Sequence, residues 1–184
     1  MEIKIDRRLL YVDETRPLDT GQFGAVFSGI YTRLNGEKIS VAVKQVKNVN
    51  KDTTRELLEE AKLMKQLQSP HIIEIVGVCF HEETSSLRIV LEMAALGQMS
   101  SYLRSNESRV SMGKIVNLLY QIALGMEYLA ENLIVHRDLA ARNILLMSID
   151  EAKISDFGLS RRMDPSTKVY QVNLANEPKL PLKW

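Results

Sequence analysis

Three side chains late in the sequence carry hard oxygen ligands at short intervals. Asp138 is a carboxylate, Asn143 supplies an amide oxygen five residues later, and Asp156 is a second carboxylate. Apolar runs frame all three, at residues 133–135, 144–146 and 154. In proteins, Mg²⁺ is bound by one or two carboxylates and keeps waters and substrate phosphates as its other ligands. The residue types and spacing therefore predict a magnesium site that works on a phosphate-bearing substrate.

The segments around these residues read H-R-D-L-A-A-R-N over 136–143 and D-F-G-L-S-R over 156–161. They resemble the catalytic loop and metal-binding segment of protein kinases. The A-A-R variant resembles the tyrosine-specific branch, because serine/threonine kinases usually carry a lysine in this interval. The resemblance implies that Asp138 accepts or orients the proton of the attacking hydroxyl and that Arg142 lies near the substrate tyrosine. It also implies that Asn143 and Asp156 hold Mg²⁺ against the nucleotide phosphates.

A glycine-punctuated turn, L-D-T-G-Q-F-G-A-V at 18–26, is predicted between two strands. Glycine lets backbone amides approach phosphate without a Cβ in the way, although on spacing alone an ordinary hairpin turn is an equal alternative. The kinase resemblance makes this the ATP-binding loop, with Asp19 at the first glycine position of the family pattern G-x-G-x-x-G. The residues implied to contact ATP here are Leu18, Gly21, Gln22, Phe23, Gly24 and Val26.

An ion pair is predicted between a strand lysine and a helix glutamate. Lys44 ends V-A-V-K in a strand expected over 39–46, and Glu60 lies inside the apolar stripe of a helix expected over 55–67. Thr53, with Glu56 three residues later, predicts a capping box for that helix. Because a carboxylate in an apolar stripe is costly unless it is paired, Lys44 is its natural partner. In the family, this glutamate holds the lysine on the α- and β-phosphates.

A linker at 92–97 follows a strand predicted over 87–91. In kinases this linker joins two lobes, and its backbone binds adenine through one carbonyl and one amide. The matching positions are Glu92 and Ala94. Ala42 and Leu145 complete the nucleotide-binding residues implied by the resemblance.

The segment from 156 to 184 resembles a kinase activation segment, with a polar, proline-containing middle predicted to be a loop. Tyr170 is its only tyrosine and the candidate phosphorylation switch, the alternative being an exposed tyrosine without a switching role. Arg137 would bind the phosphorylated tyrosine, since a guanidinium grips phosphate with two hydrogen bonds. The closing P-L-K-W resembles the tyrosine-kinase substrate platform.

In family order, these motifs imply an α+β, two-lobed, protein-kinase-like fold. The β-rich N-lobe with one long helix would span 1–91, the hinge 92–97 and an incomplete helical C-lobe 98–184. Relatives continue into an A-P-E element beyond this point, so we expect a fragment. Relatives also have several more helices after that element. Without these helices, we expect apolar helix faces around Leu118 and Ile122 to be partly exposed, with a risk of aggregation.

Composition narrows the class of protein. With 45% hydrophobic residues and a net charge of +1, a globular core is expected, and nothing indicates nucleic acid as a partner. The single cysteine, Cys79, excludes an intrachain disulfide and fits a reducing compartment. The charged start is unlike a secretory signal and no run is long enough to insert into a membrane. A cytoplasmic domain is therefore expected.

Together the motifs predict a non-receptor-type tyrosine kinase that uses Mg-ATP and acts on protein tyrosines. The stretch Glu92-Met93-Ala94, with I-S-D-F-G-L-S, resembles the spleen tyrosine kinase group. The alternative is a pseudokinase, a nucleotide-binding or interaction module without catalysis. Asp19 is the feature that supports this alternative, against Lys44, Glu60 and the catalytic-loop residues, which are all intact.

Overall fold

The chain passes from one structural unit to a second between Met93 and Ala94. The computed structural model describes residues 3–21, 24–46, 51–81, 86–107, 110–167 and 169. The N-terminal unit comprises Met1–Gln68 and Glu74–Met93, and the C-terminal unit comprises Ser69–Ile73 and Ala94–Trp184. The crossing point lies inside the predicted linker 92–97. The short segment Ser69–Ile73 belongs to the C-terminal unit, a grouping that a linear division of the chain does not anticipate.

A five-stranded antiparallel sheet forms most of the N-terminal unit, in the order β1-β2-β3-β5-β4. Its strands are β1 (Leu10–Gly21), β2 (Gly24–Thr32), β3 (Lys38–Val46), β4 (Ile75–His81) and β5 (Ser86–Glu92), and helix α1 (Lys51–Gln66) lies between β3 and β4 in sequence. Because side chains alternate along a strand, Val41 and Val43 share one face of β3 while Lys44 lies on the other. Both valines are fully buried.

Strand β1 contains a large bulge before the glycine turn. Asp13 pairs with Ser28 and Pro17 with Phe27, so β1 advances four residues while β2 advances one. A further irregularity lies between Pro17 and Asp19. Bulges bend a strand and re-aim the side chains that follow them. The position of the glycine turn therefore depends on how this bulge is held.

The N-terminal segment covers one face of the sheet. Leu10, Val41, Val43, Cys79 and Val90 form a buried core there, with Ile5 packed against it. The segment also pairs with β4, since Val78 N donates to Ile3 O at 2.8 Å and Ile5 N donates to Val78 O at 2.9 Å. Burial raises the pKa of the Cys79 thiol, which keeps this cysteine neutral within the core.

Gly77 is needed for this docking, and we expect Gly77→Ala to lower the free energy of unfolding by about 1–3 kcal/mol through overpacking. A Cβ at this position would lie 2.6 Å from both Ile3 O and Ile5 Cγ2. Urea denaturation is the measurement. Gly113→Ala is the control, since its nearest atom would be Ser111 Oγ at 4.0 Å. Equal denaturation midpoints for the two variants would show that the segment does not need the glycine.

Helix α1 buries the stripe that the sequence predicted. Its buried residues are Leu57, Glu60, Ala61 and Met64, with Leu67 just beyond its end. The helix begins at Lys51 rather than near Arg55. Thr53 therefore lies in the first turn of the helix, so the predicted capping box is wrong. Helix α1 packs on β4 and β5, and such tertiary packing rather than a local capping signal supplies most of the stability of a helix in a protein.

The C-terminal unit combines two main helices with short sheets. Helices α2 (Met99–Ser105) and α3 (Met112–Glu131) accompany β6 (Gly97–Gln98), β7 (Ile134–Val135), β8 (Ile144–Ser148), β9 (Glu151–Ile154) and β10 (Arg161–Arg162). The sheets are β6-β8-β9 and β7-β10. Ser111 caps α3, its hydroxyl accepting from Lys114 N.

The apolar residues at 72, 73, 75, 76 and 78 predict one strand, but β4 begins only at Ile75. The reason is that the backbone just before it pairs within the C-terminal unit. Ile73 N donates to Ile154 O at 2.9 Å and Ile154 N donates to His71 O at 2.8 Å. Residues 71–73 thus extend the pairing of β9.

Helix α3 exposes a different apolar face from the one expected. Leu118 is buried, so the prediction of partial exposure is wrong there, whereas Ile122 is half-buried and agrees with it. The exposed apolar residues are Met112, Val116, Leu119 and Tyr120. They recur at helical spacing on one face, while Leu118 lies on the side that contacts β9. Within the described part of the chain, no helix combines the length and apolar character needed to cross a bilayer.

Candidate active site

Lys44 and Glu60 form the predicted ion pair within the N-terminal unit. Lys44 Nζ lies 2.7 Å from Glu60 Oε1, and the side chains are only 17% and 7% exposed. Strand β3 presents the lysine and the apolar stripe of α1 presents the glutamate. A carboxylate so little exposed is kept charged by its cation, and the lysine is held in one place by the carboxylate. The pair supplies a fixed ammonium group in this unit.

The glycine turn joins β1 and β2, with Gly21 and Gly24 as facing residues of the hairpin. Leu18 on β1 is exposed and Val26 on β2 is half-buried. Asp19, opposite Val26, accepts a hydrogen bond from Thr20 N through Oδ1 at 2.9 Å. Gln22 and Phe23, predicted to contact nucleotide, lie outside the described residues.

Ala42 and the predicted hinge residue Glu92 also lie in the N-terminal unit. Ala42 faces Leu91 across β3 and β5. Glu92 N donates to Glu74 O at 3.0 Å, and Glu92 Oε1 accepts from Glu74 N at 2.7 Å. This two-way contact orients the backbone of Glu92 at the end of β5, where the sequence predicts an adenine-binding carbonyl.

Ala94 and Leu145 belong to the C-terminal unit. The Ala94 carbonyl accepts from Gly97 N at 3.2 Å, closing a turn before β6. Leu145 is half-buried on β8 and pairs with Gln98 of β6. The turn and the strand pair place both residues on ordered backbone within this unit.

The catalytic-loop residues converge on the side chain of Asp138. Asn143 Nδ2 donates to Asp138 O and to Asp138 Oδ2, both at 2.8 Å. Arg142 Nη2 donates to the other carboxylate oxygen, Oδ1. The 3₁₀ turn Ala141–Asn143 directs these donors back to a residue four or five positions earlier. Asp138 is 8% exposed, so its carboxylate is both oriented and largely screened from water.

Asn143 and Asp156 carry the oxygens that the sequence predicts to hold a magnesium ion. Both Nδ2 hydrogens of Asn143 are used on Asp138, so its Oδ1 is the atom that remains to face a cation. Ser155 N donates to Asn143 O at 2.8 Å, tying the segment before Asp156 to Asn143. Asp156 has a φ of 62°, an unusual backbone state for an aspartate that often marks functional sites.

This donor set suits Mg²⁺ better than a structural transition metal. Among the described residues, no cluster of three or more His, Cys, Asp and Glu side chains is arranged for a metal ion. An amide oxygen with one carboxylate is the kind of partial ligand set that Mg²⁺ completes with waters and substrate phosphates.

His136 is a buried packing residue. Both of its ring nitrogens form hydrogen bonds with backbone groups, so neither is left to act as a base. It is 1% exposed and meets the Phe157 ring edge-on, with ring centroids 5.0 Å apart. Asp138 N donates to Nδ1 at 3.3 Å, which makes Nε2 the protonated nitrogen that donates to Ser155 O at 3.0 Å. Burial lowers the pKa of His136 below its ordinary value, more than the carbonyl of Ser155 raises it. The ring is therefore neutral at physiological pH.

We expect this depressed pKa to make the C-terminal unit less stable in mild acid. The unfolded histidine binds a proton near its ordinary pKa of 6.5, while the folded one does not. Stability is thus complete above about pH 6.5 and falls by up to about 1.4 kcal/mol per pH unit as the pH drops below it. Urea denaturation at several pH values measures this slope. In His136→Phe the slope below pH 6.5 should flatten, and an unchanged slope would assign it to other groups.

Arg137 is the predicted phosphate-binding residue of the activation segment. Its Nε donates to Leu159 O at 2.6 Å, and its own φ of 66° is in the left-handed region. These features tie Arg137 to the start of the segment that follows Asp156. Tyr170, its predicted partner, lies outside the described residues.

Two buried serines near the site escaped the sequence analysis. Ser155 Oγ donates to Asn143 O at 2.9 Å, and Ser160 Oγ donates to His136 O at 3.2 Å. Both flank D-F-G, and each ties the backbone of this segment to the catalytic loop. A serine in the sequence gives no signal of burial, since serine is mostly an exposed residue.

The sequence of this chain is similar to those of known protein kinases. A family model described as protein tyrosine and serine/threonine kinase matches residues 12–184. Tyrosine-protein kinase SYK of Gallus gallus is 42% identical over 184 residues, covering 99% of this chain and 29% of the relative. Tyrosine-protein kinase ZAP-70 of Homo sapiens is 40% identical over 168 residues, covering 91% of this chain and 26% of the relative.

The chain thus spans less than a third of the length of these curated relatives. The family match, in contrast, extends over both structural units and includes every candidate residue from Leu18 to Tyr170. On this evidence the chain belongs to the protein tyrosine and serine/threonine kinase family.

Proposed function

We propose that this chain forms the catalytic part of a protein-tyrosine kinase, which transfers the γ-phosphoryl group of Mg-ATP to a tyrosine hydroxyl of a protein. The observation that carries the proposal is the pair of hydrogen bonds that Arg142 and Asn143 donate to the carboxylate of Asp138. Such an oriented, little-exposed carboxylate is suited to receive a proton from a nucleophile. The tyrosine-protein kinases SYK and ZAP-70, as relatives, support tyrosine as the acceptor.

Asp138 orients the attacking hydroxyl and takes its proton. The phenolic oxygen forms a bond to the γ-phosphorus while the bond between that phosphorus and the β-phosphate oxygen breaks, and ADP leaves. Arg142 sits on Asp138 Oδ1, where it both orients the carboxylate and offers a positive charge beside the phenol. Positioning and electrostatic stabilisation are the main contributions a protein makes to this reaction.

Lys44 binds the α- and β-phosphates of ATP, and Glu60 keeps its ammonium in position. Leu18, Gly21, Gln22, Phe23, Gly24, Val26, Ala42 and Leu145 enclose the nucleotide, and the backbones of Glu92 and Ala94 bind adenine. Asn143 Oδ1 and the Asp156 carboxylate would hold Mg²⁺, which when bound neutralises phosphate charge. In this proposal residues 1–91 act as the nucleotide-binding lobe, 92–97 as the hinge and 98–184 as the lobe that carries the catalytic loop.

Regulation and location follow as parts of the same proposal. Phosphorylation of Tyr170 adds a charge that Arg137 can bind, which would order the activation segment. The free, buried Cys79 is compatible with a reducing compartment such as the cytoplasm.

The test is phosphoryl transfer by the full-length protein from γ-labelled ATP to matched peptides that carry tyrosine or serine at one position. We expect label on the tyrosine peptide alone, and only with Mg²⁺ present. Label on the serine peptide would contradict tyrosine specificity, and absence of transfer under all conditions would contradict a kinase.

The second candidate is a pseudokinase, favoured by Asp19 in the glycine turn. Its carboxylate lies on the strand that leads into the turn and would repel phosphate. Absence of transfer to either peptide by the wild type, with transfer restored in Asp19→Gly, would support this alternative.

A further inference from the structure

Arg88, on strand β5, is a fully buried arginine that the proposed reaction does not use. It is 0% exposed. Its Nε donates to Gln45 Oε1 at 3.0 Å, and its Nη2 donates to Glu14 Oε1 at 2.8 Å. Gln45 is the residue directly opposite Arg88 in the β3–β5 ladder, so that contact is local. The contact with Glu14 is not, because Glu14 belongs to β1.

Two strands lie between Arg88 and the strand of its carboxylate partner. In the order β1-β2-β3-β5, the two strands are three spacings apart, or about 14 Å. The sheet nevertheless curls, since Leu10 of β1 and Val90 of β5 lie in one buried core. Glu14 lies within the bulge of β1, between the paired residues Asp13 and Pro17. Asp13 Oδ1 also accepts from Thr15 N at 3.1 Å, which closes the bulge into a turn.

The bulge leads directly into the predicted nucleotide loop. Pro17 resumes pairing with Phe27, and Leu18 and the strand up to Gly21 follow. Because a bulge sets the direction and register of the strand after it, whatever anchors the bulge also places these residues. Glu14 is the bulge residue with a buried anchor.

Stability alone is a poor explanation for this arrangement. A buried guanidinium must recover its lost hydration, yet Arg88 Nη1 has no hydrogen-bond partner among the described residues, and Glu14 is half exposed to water. Buried ion pairs are often no more stabilising than apolar residues of similar volume. A residue whose burial is costly and whose partner lies in a functional strand is better explained by the geometry it imposes.

We infer that Arg88, acting through Glu14, is a positioning residue that sets the placement of the glycine-rich turn for ATP. The inference rests on the proposed ATP-binding function. Arg88 touches neither nucleotide nor protein substrate in this scheme, so its loss alters ATP affinity and leaves the rate of phosphoryl transfer at saturation unchanged.

The test compares Arg88→Met and Glu14→Ala in the full-length protein with the same substitutions in an exposed pair, Arg33→Met and Glu37→Ala. Arg33 and Glu37 are 2.8 Å apart and half exposed, between β2 and β3. For the Arg88 and Glu14 variants, we expect the KM and Kd for Mg-ATP to rise about fivefold, the lower end of typical coupling between sites. The kcat and the KM for peptide should stay unchanged. The melting temperature of Arg88→Met should fall little, since methionine fills much of the buried site and the carboxylate left behind, Glu14, is half exposed.

A fall in kcat and melting temperature with an unchanged KM for ATP would overturn the inference and leave Arg88 a merely structural residue. An equal rise in the KM and Kd for Mg-ATP in the Arg33 and Glu37 variants would also overturn it.

Hydrogen exchange of the nucleotide-free protein separates this inference from the proposed function. Faster exchange of the amides of residues 18–21 in Glu14→Ala, but not in Glu37→Ala, supports the positioning role even if the protein transfers no phosphate. Unchanged exchange there contradicts the role even if the wild type is an active kinase.

Discussion

Asp138→Asn is expected to slow phosphoryl transfer about 10³-fold, within the range that a positioned acid or base contributes. The substitution keeps the size of the side chain but removes the group that receives the phenolic proton. It also disturbs the local hydrogen bonds, because Arg142 and Asn143 each donate to one oxygen of the carboxylate. An amide nitrogen in either orientation would face a donor. Single-turnover transfer to a tyrosine peptide measures the rate, and calorimetry should show the Kd for Mg-ATP unchanged.

Asp150→Asn is the matched control for this prediction. Asp150 also binds a cation, Lys114, but the two side chains are 56% and 37% exposed. Exposed ion pairs contribute about 0–1 kcal/mol, so the control should transfer phosphate at the wild-type rate. If Asp138→Asn turned over as fast as this control, the assignment of Asp138 as the catalytic carboxylate would be wrong.

The contacts among the candidate site residues were predictable because they join residues close in sequence or residues that strong patterns single out. Asp138, Arg142 and Asn143 fall within one short loop, so their spacing already predicts that they can meet. The partnership of Lys44 with Glu60 was predictable for a different reason. A carboxylate in the apolar stripe of a helix needs a cation, and the strand before the helix carries one, Lys44.

The features that escaped prediction depend on contacts between distant segments. Nothing in the polar run 13–17 indicates that its glutamate reaches a buried arginine on β5. Likewise, the apolar pattern at 72–78 predicts one strand, whereas Ile73 pairs with Ile154 and β4 begins only at Ile75. In both cases the local sequence is compatible with more than one pairing partner, and contacts with distant segments determine which partner is used.

Lys44→Met is expected to weaken Mg-ATP binding and to destabilise the N-terminal unit by about 3 kcal/mol, the lower end for breaking a buried pair. The lower end applies because Lys44 is 17% exposed and water can reach the site. The loss arises mostly from Glu60, which is 7% exposed and would be left charged without its cation. Glu60→Gln should destabilise less, since the remaining lysine is the more exposed partner.

The double variant Lys44→Met/Glu60→Leu separates stability from function. Replacing both members of a buried pair by apolar residues is often neutral for stability, so urea denaturation should return toward the wild-type midpoint. Calorimetric binding of Mg-ATP should not return with it, because no ammonium remains to meet the phosphates. Recovery of both properties would mean that Lys44 serves only to neutralise Glu60. Recovery of stability alone would establish that the buried pair exists to hold a charge where nucleotide needs it, at a cost that an apolar core would avoid.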